Sequence, residues 1–280
     1  MTVYISTESS CDLSPQLLQK HHIKTLPFCV NIGDELFRDG VDIDAAELFR
    51  RTEQQKLPVR TAAINEYEYL QHFSSYPADA EVIHISLGSG FSSSCENARR
   101  AAVACEGAGI TVIDSQNLSS GQGMLVLIAA ELAETGKSAA EIAAALEELV
   151  PKVEVSFILD TLEYLRRGGR CSSLAALGAN ILSIHPTIAV VNNSMQVGRK
   201  YRGSLKRCIG QYTQAVLQNA AAYDDGHLFI TTSGWDEADI AAVRQALAAA
   251  GFDAVAVTDA GCTVCAHCGP LCGGIITLRK

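Results

Sequence analysis

An α/β fold in two domains is what this sequence predicts, on three observations. Strand-like and helix-like segments alternate along the whole chain. A length of 280 residues can bury one large core or two medium ones. Pro151 ends a helix-like segment and supplies the best boundary, giving an N-terminal domain 1–151 and a C-terminal domain 152–280.

In order, Val3–Ser6 reads as a short strand, and Leu13–His21 as a helix with Asp12 at its N-cap. Thr25–Val30 and Glu35–Arg38, joined by Gly33-Asp34, suggest a hairpin. Asp44 caps a helix reaching about Glu53, and Asn65 caps another reaching Phe73. Strand Val82–Leu87, a helix over Ser93–Cys105 and strand Ile110–Asp114 follow. Two helices come next, Ser120–Glu134 and Ser138–Leu149, the second opened by the capping box Ser138-Ala-Ala-Glu141. Beyond Pro151 the pattern gives strand Val153–Leu159, helices over Leu162–Arg167 and Ser173–Leu182, and strands Thr187–Val191 and Met195–Arg199 around an Asn192-Asn193 turn. A helix over Leu205–Ala222, strand Leu228–Thr232, helix Glu237–Ala250 and strands Ala254–Thr258 and Ile275–Leu278 complete the reading.

Composition narrows the function. Apolar residues make up 48% and charged residues 19%, an ordinary globular balance. No apolar run approaches the roughly 18–20 residues that span a bilayer, so membrane insertion is not expected. Met-Thr-Val-Tyr-Ile-Ser lacks the layout of a secretion signal, and a cytoplasmic location is expected. A net charge of −9 argues against nucleic acid as a partner. Between Arg166 and Arg207, however, eight Lys/Arg stand without one Asp or Glu, either a solvated face or a docking surface for something anionic.

Short hydroxyls gather after strands: Ser6 to Ser10, Ser89 to Ser94, and Ser115 with Ser119-Ser120. Each cluster taken singly reads as a helix cap. Together, beyond the carboxyl ends of strands in an open α/β sheet, they suggest an anion-binding crevice. No P-loop, G-x-S-x-G elbow or H-E-x-x-H pair occurs, and nothing supports a serine hydrolase positively. The segment Cys262-Thr-Val-Cys265-Ala-His267-Cys268-Gly269-Pro270-Leu-Cys272 admits two readings. Its C-x2-C-x2-C-x3-C spacing is that of bacterial ferredoxin segments, which would make it an iron–sulfur or zinc-binding redox module. Its His-x-Gly-Pro core also resembles the ligand-loop signature of a lipid-binding family.

The chain resembles the DegV family of fatty-acid-binding proteins over essentially its full length. Ile5-Ser-Thr-Glu8-Ser-Ser-Cys-Asp12-Leu13 looks like the family's opening T-D-S-x-x-D-L, and Ser86-Leu-Gly-Ser89-Gly-Phe-Ser92-Ser93-Ser94 is similar to its S-x-x-S-G-L-S-G-T. Asp114-Ser115 with Ser119-Ser-Gly121-Gln-Gly123 matches D-S-x-x-x-S-x-G-x-G, and Thr161-Leu-Glu-Tyr-Leu-Arg-Arg-Gly168-Gly169-Arg170 is close to T-L-x-Y-L-x-x-G-G-R. The chain departs from the family at Glu8 (Asp), at Ser93-Ser94 (Gly-Thr), at Ala62 (Ser) and at Leu271 (Gly).

The resemblance implies two α/β domains with the ligand bound between them, a long-chain fatty acid in an apolar tunnel. Its carboxylate would be held by Thr61, Ser92 and His267. Arg170, Arg202, Ser93, Ser119 and Gly269 would lie near the head group or the docking surface. It further implies a carrier without catalysis or cofactor, presenting the fatty acid to a separate fatty acid kinase subunit. On the competing reading, Cys262, Cys265, Cys268 and Cys272 would bind the metal.

Overall fold

The computed structural model describes residues 2–173 and 184–280. The first half runs β1 (Val3–Glu8), α1 (Pro15–Lys20), β2 (Lys24–Leu26), β3 (Cys29–Ile32), β4 (Glu35–Arg38), α2 (Ala45–Gln55), β5 (Val59–Ala62), α3 (Glu66–Phe73), β6 (Glu81–Ser86), α4 (Ser94–Ala104), β7 (Gly109–Asp114), α5 (Ser120–Glu134) and α6 (Ala139–Leu149). The second runs β8 (Val153–Ile158), α7 (Glu163–Gly168), β9 (Ile184–Val190), β10 (Met195–Arg202), α8 (Leu205–Leu217), β11 (Tyr223–Thr232), α9 (Glu237–Ala249), β12 (Val255–Asp259), α10 (Cys262–Cys268) and β13 (Gly273–Arg279). Strands before Pro151 form a parallel sheet, β2-β1-β6-β7, and a small antiparallel one, β4-β3-β5. Those after it form a mixed sheet, β10-β9-β8-β13-β11-β12.

Several expectations shift by physical cause. The run Thr25–Val30 is two strands in different sheets, because Pro27 between them has no N–H for a ladder. Ser14, not Asp12, caps α1, its hydroxyl accepting from the Leu17 N–H. Residues 59–62, which the sequence pattern assigns to no strand or helix, are β5 on the edge of the small sheet. The C-terminal cysteine segment, expected as a loop between strands, is α10. The helix expected over Ser173–Leu182 falls, past Ser173, outside the described residues.

α5 joins the halves. It packs on β1 and β6 of the parallel sheet and on β8, β11 and β13 of the mixed one, so its first seven residues are all buried. Two glycines permit this approach. A Cβ at Gly121 would lie 2.3 Å from Val155, and one at Gly123 would lie 2.4 Å from the Cys11 carbonyl. Beside α5, Glu8 is fully enclosed. It accepts from Tyr69 (2.6 Å), Ser86 (2.7 Å), His84 (3.0 Å), the Leu87 N–H (2.9 Å) and Gln122 (2.7 Å). Burial alone would raise its pKa, but His84 and the hydroxyl donors outweigh burial and lower it.

Two other buried carboxylates fix α10. Asp39 accepts from the backbone N–H groups of Cys262 (2.8 Å) and Thr263 (3.0 Å), and Asp12 from that of Gly261 (2.9 Å). These are donors that a helix start leaves unpaired. Burial pushes the Asp12 carboxyl up to about 8, against the hydrogen bonds to Ser119 and Gly261 and with help from Asp39. A protonated Asp12 keeps both contacts, donating to Ser119 and accepting from Gly261. Between pH 4 and 8 the folded state therefore holds a proton that the unfolded chain lacks, and this contribution to stability, complete below about pH 4, is lost progressively as pH rises to about 8. Asp12→Asn, which preserves both bonds, should cost within about 1 kcal/mol at pH 5 and flatten the loss of stability toward pH 9; Asp12→Ala should cost about 2–3 kcal/mol. Chemical denaturation across that pH range measures both.

Candidate functional site

A mainly apolar cleft of about 130 Å³ opens where α10, β5, the loop after β6 and the turn after α7 converge. Phe28, Leu87, Phe91, Leu118, Met195 and Val264 form much of its wall. Its polar residues are Ser10, Thr61, Ser92, Ser93, Thr263 and His267, with Arg170 at the edge. A smaller cavity of about 30 Å³ continues toward Val155, Phe157 and Ile276, and Leu118, Val264 and Cys268 line both.

The polar end is built around His267. Its Nε2 lies 2.9 Å from Thr61 Oγ1, and its Nδ1 is buried with no partner. Burial, followed by the nearby Arg170 guanidinium, pushes the imidazole down to about 4, so the ring is neutral at physiological pH. A buried unpaired N–H is a costlier orphan than an unpaired lone pair, which places the ring proton on Nε2. That proton goes to Thr61, and the Thr61 O–H is left to donate into the cleft. Ser92 reaches the same condition when Ser94 donates to it (2.9 Å): its oxygen also accepts from the Ser94 N–H (3.2 Å), and its own proton is free. Two hydroxyl donors and no acid suit an anion with spare lone pairs, such as a carboxylate.

The Thr161–Arg170 motif is the seat of this histidine. A Cβ at Gly168 would lie 2.3 Å from His267 Nδ1, so only glycine lets the ring settle there. Gly169 ends α7 in the left-handed region at φ +66°. Arg170 then turns back, its Nη1 donating to the Gly168 carbonyl at 2.6 Å. Tyr164 covers Gly269, where a Cβ would lie 2.5 Å from the ring.

The expected site residues divide accordingly. Thr61, Ser92, Ser93, Arg170 and His267 line one cleft. Gly269 shapes the backbone beneath Tyr164 and is outside the lining. Ser119 lies beyond Leu118 on the smaller cavity, its hydroxyl bonded to Asp12. Arg202 is exposed on β10, away from the cleft. Ser10, from the first of the hydroxyl clusters, also lines the cleft, and Thr263 and Met195 line it without having been expected there. Thr263 stands four residues before His267, a spacing that becomes informative once the segment is known to be helical.

That helix also bears on the metal reading. Cys262 and Cys265 pack into the small-sheet core, where their thiols donate to the carbonyls of Ile43 and Ala260. Cys268 and Cys272 are free thiols in the main core, in hydrogen-bond contact with each other. Among the described residues no group of three or more His, Cys, Asp or Glu is placed to hold a metal ion. The iron–sulfur or zinc expectation is not supported, because α10 and the turn after it divide the cysteines between two cores.

Comparison with known proteins agrees with this architecture. The sequence profile described as "Uncharacterised protein, DegV family" matches residues 2–280. The chain is 30% identical over 277 residues to a DegV domain-containing protein of Deinococcus radiodurans, covering 98% of each. It is 31% identical over 278 residues to the DegV domain-containing protein YteA of Lactococcus lactis, covering 96% of this chain and 95% of that one. Its structure is similar to that of a fatty-acid-binding DegV family protein from Thermus thermophilus, with TM-score 0.89 and 26% identity over the whole of both chains. It shares its fold with DegV, a fatty acid binding protein from Bacillus subtilis, at TM-score 0.85 and 23% identity over both whole chains. With a matching profile over nearly every residue and a cleft assembled from its motifs, the chain belongs to the DegV family.

Proposed function

We propose that this protein binds a long-chain fatty acid in the cleft, without catalysis of its own, and presents it to a separate kinase subunit that makes the acyl phosphate. One observation carries the reading: Thr61 and His267, 206 residues apart in sequence, meet beside Ser92 at the polar end of a mainly apolar cleft. The carboxylate accepts from the freed hydroxyls of Thr61 and Ser92, with neutral His267 behind Thr61. The acyl chain runs past Leu118 and Val264 toward Val155 and Phe157. At about 0.8 kcal/mol per buried CH₂, a long chain contributes on the order of 10 kcal/mol before the costs of binding. Affinity therefore comes from the apolar wall, while the hydroxyls orient the head and leave a carboxylate oxygen free to attack a phosphate supplied from outside. On the same reading, residues 1–151 and 152–280 are the two domains that clasp the chain. Ser93 and Arg170 stand next to the head, and exposed Arg202 belongs to the docking face for the kinase.

Thr61→Val and Ser92→Ala should each weaken fatty acid retention by roughly ten- to a hundredfold, the worth of a hydrogen bond to a charged group. Arg202→Ala should retain lipid and lose coupling to the kinase. Native mass spectrometry of purified variants reads the first effect and acyl-phosphate formation the second; if all three variants behave as the parent, these roles are wrong. His267 should titrate near pH 4 by NMR, far below the 6.5 of a free imidazole. Its folded-state pKa lies below the unfolded value, so its contribution to stability is complete above about pH 6.5 and is lost as pH falls toward 4. A midpoint above 6 would remove the neutral imidazole from the reading.

A further inference from the structure

One hydroxyl in the cleft has no task in holding a carboxylate. Thr263 is 6% exposed and lines the cleft, and its Oγ1 is buried with no hydrogen-bond partner. Buried hydroxyls nearly always have one. A threonine in a helix can satisfy itself on a carbonyl three or four residues earlier, as Thr213 does on Ile209 at 2.9 Å. Thr263 stands at the second position of α10, its backbone N–H taken by Asp39, and its side chain makes no such bond. Because the residue lines the cleft, a turn about χ1 would let the unpaired hydroxyl donate into it.

A complementary group lies in the same wall. Ser10 is fully buried and lines the cleft, on a single helical turn (Ser9–Cys11) that packs against α10. Its proton goes to Gln122 Oε1 at 2.9 Å. Gln122 is fixed in turn through its amide nitrogen to Thr7 (2.8 Å) and Glu8 (2.7 Å). Ser10 therefore faces the cleft with lone pairs only. A donor with an acceptor matches a hydroxyl, which uses both at once; a methylene leaves both unmatched. Thr263 and His267 are four residues apart on one helical face, about 6 Å along the axis. The matched group would sit a few carbons from the carboxylate.

We infer that Thr263 and Ser10 form a second polar subsite in the cleft, which takes a hydroxyl on the acyl chain close to its head and favours 3-hydroxy fatty acids. This rests on the fatty-acid reading above. It adds to that reading a ligand class, chosen by an unpaired buried hydroxyl instead of by chain length.

Displacement of a fluorescent fatty acid from the full chain tests it, with hexadecanoic acid, both enantiomers of 3-hydroxyhexadecanoic acid, and 12-hydroxyoctadecanoic acid as a remote-hydroxyl control. One 3-hydroxy enantiomer should bind about fivefold or more tighter than hexadecanoic acid, the scale of one net hydrogen bond, while the 12-hydroxy acid gains nothing. Thr263→Val, which keeps the shape, should abolish that preference and leave hexadecanoic acid binding within about twofold, which also shows that the variant is folded. Equal affinity for the 3-hydroxy and plain acids would assign Thr263 to a buried water and overturn the inference, as would a preference that survives in Thr263→Val. Failure of hexadecanoic acid to bind the parent at all would instead overturn the fatty-acid reading itself.

Discussion

The grip of Asp39 and Asp12 on the start of α10 is the contact on which the site depends. Asp39 belongs to the turn after β4 and Asp12 to the turn after β1, while α10 comes more than 200 residues later. Every side chain that α10 gives to the cleft, from Thr263 through Val264 to His267 and Cys268, is placed by these bonds at one end and by the packing of Gly269 under Tyr164 at the other. Pairing of helix-start N–H groups with carboxylates satisfies donors that would otherwise be buried alone. The arrangement costs the protein an ionisable group in its interior, and it keeps Asp12 protonated as a result.

Much of what makes the family motifs recognisable is close packing that brings the few ligand-facing atoms together. Gly168 makes room for an imidazole, Gly121 and Gly123 let α5 lie between two sheets, and Gly90 meets a backbone: a Cβ there would lie 1.8 Å from the Asn193 carbonyl oxygen. Asn193 accepts from the Gly90 N–H (3.0 Å) and donates to Ser89 (2.8 Å), so the loop bearing Ser92 is tied to the β9–β10 turn of the other half. Leu271 shows the strain of departing from a glycine, with φ at +56°.

Legibility followed the range of the interactions. Helices announced by local capping, such as α3 and α6 with their complete capping boxes, were readable within a residue or two. The burial of α5 on all sides and the strand β5 were not, because both are set by partners far away in sequence. The serines after strands were visible, yet their tasks were not. Ser92 lines the cleft, whereas Ser120 closes a buried ring with Thr231 (2.6 Å) and Thr258 (2.9 Å). The cysteine spacing misled for a plain reason: ferredoxin spacing assumes a loop wrapped around a cluster, whereas here three of the cysteines lie on a helix, the fourth follows it, and the four face two different cores.

The strand order also governs how the protein comes into being. β13 follows every other strand of its sheet in sequence, yet it lies inside that sheet, between β8 and β11. During synthesis β8 and β11 must each present an unpaired edge until β13 leaves the ribosome. α10 emerges just before it, so the histidine end of the cleft cannot form while the mixed sheet is open. A nascent chain is thus exposed to aggregation late, and acquires its complete cleft only at the step that closes the sheet.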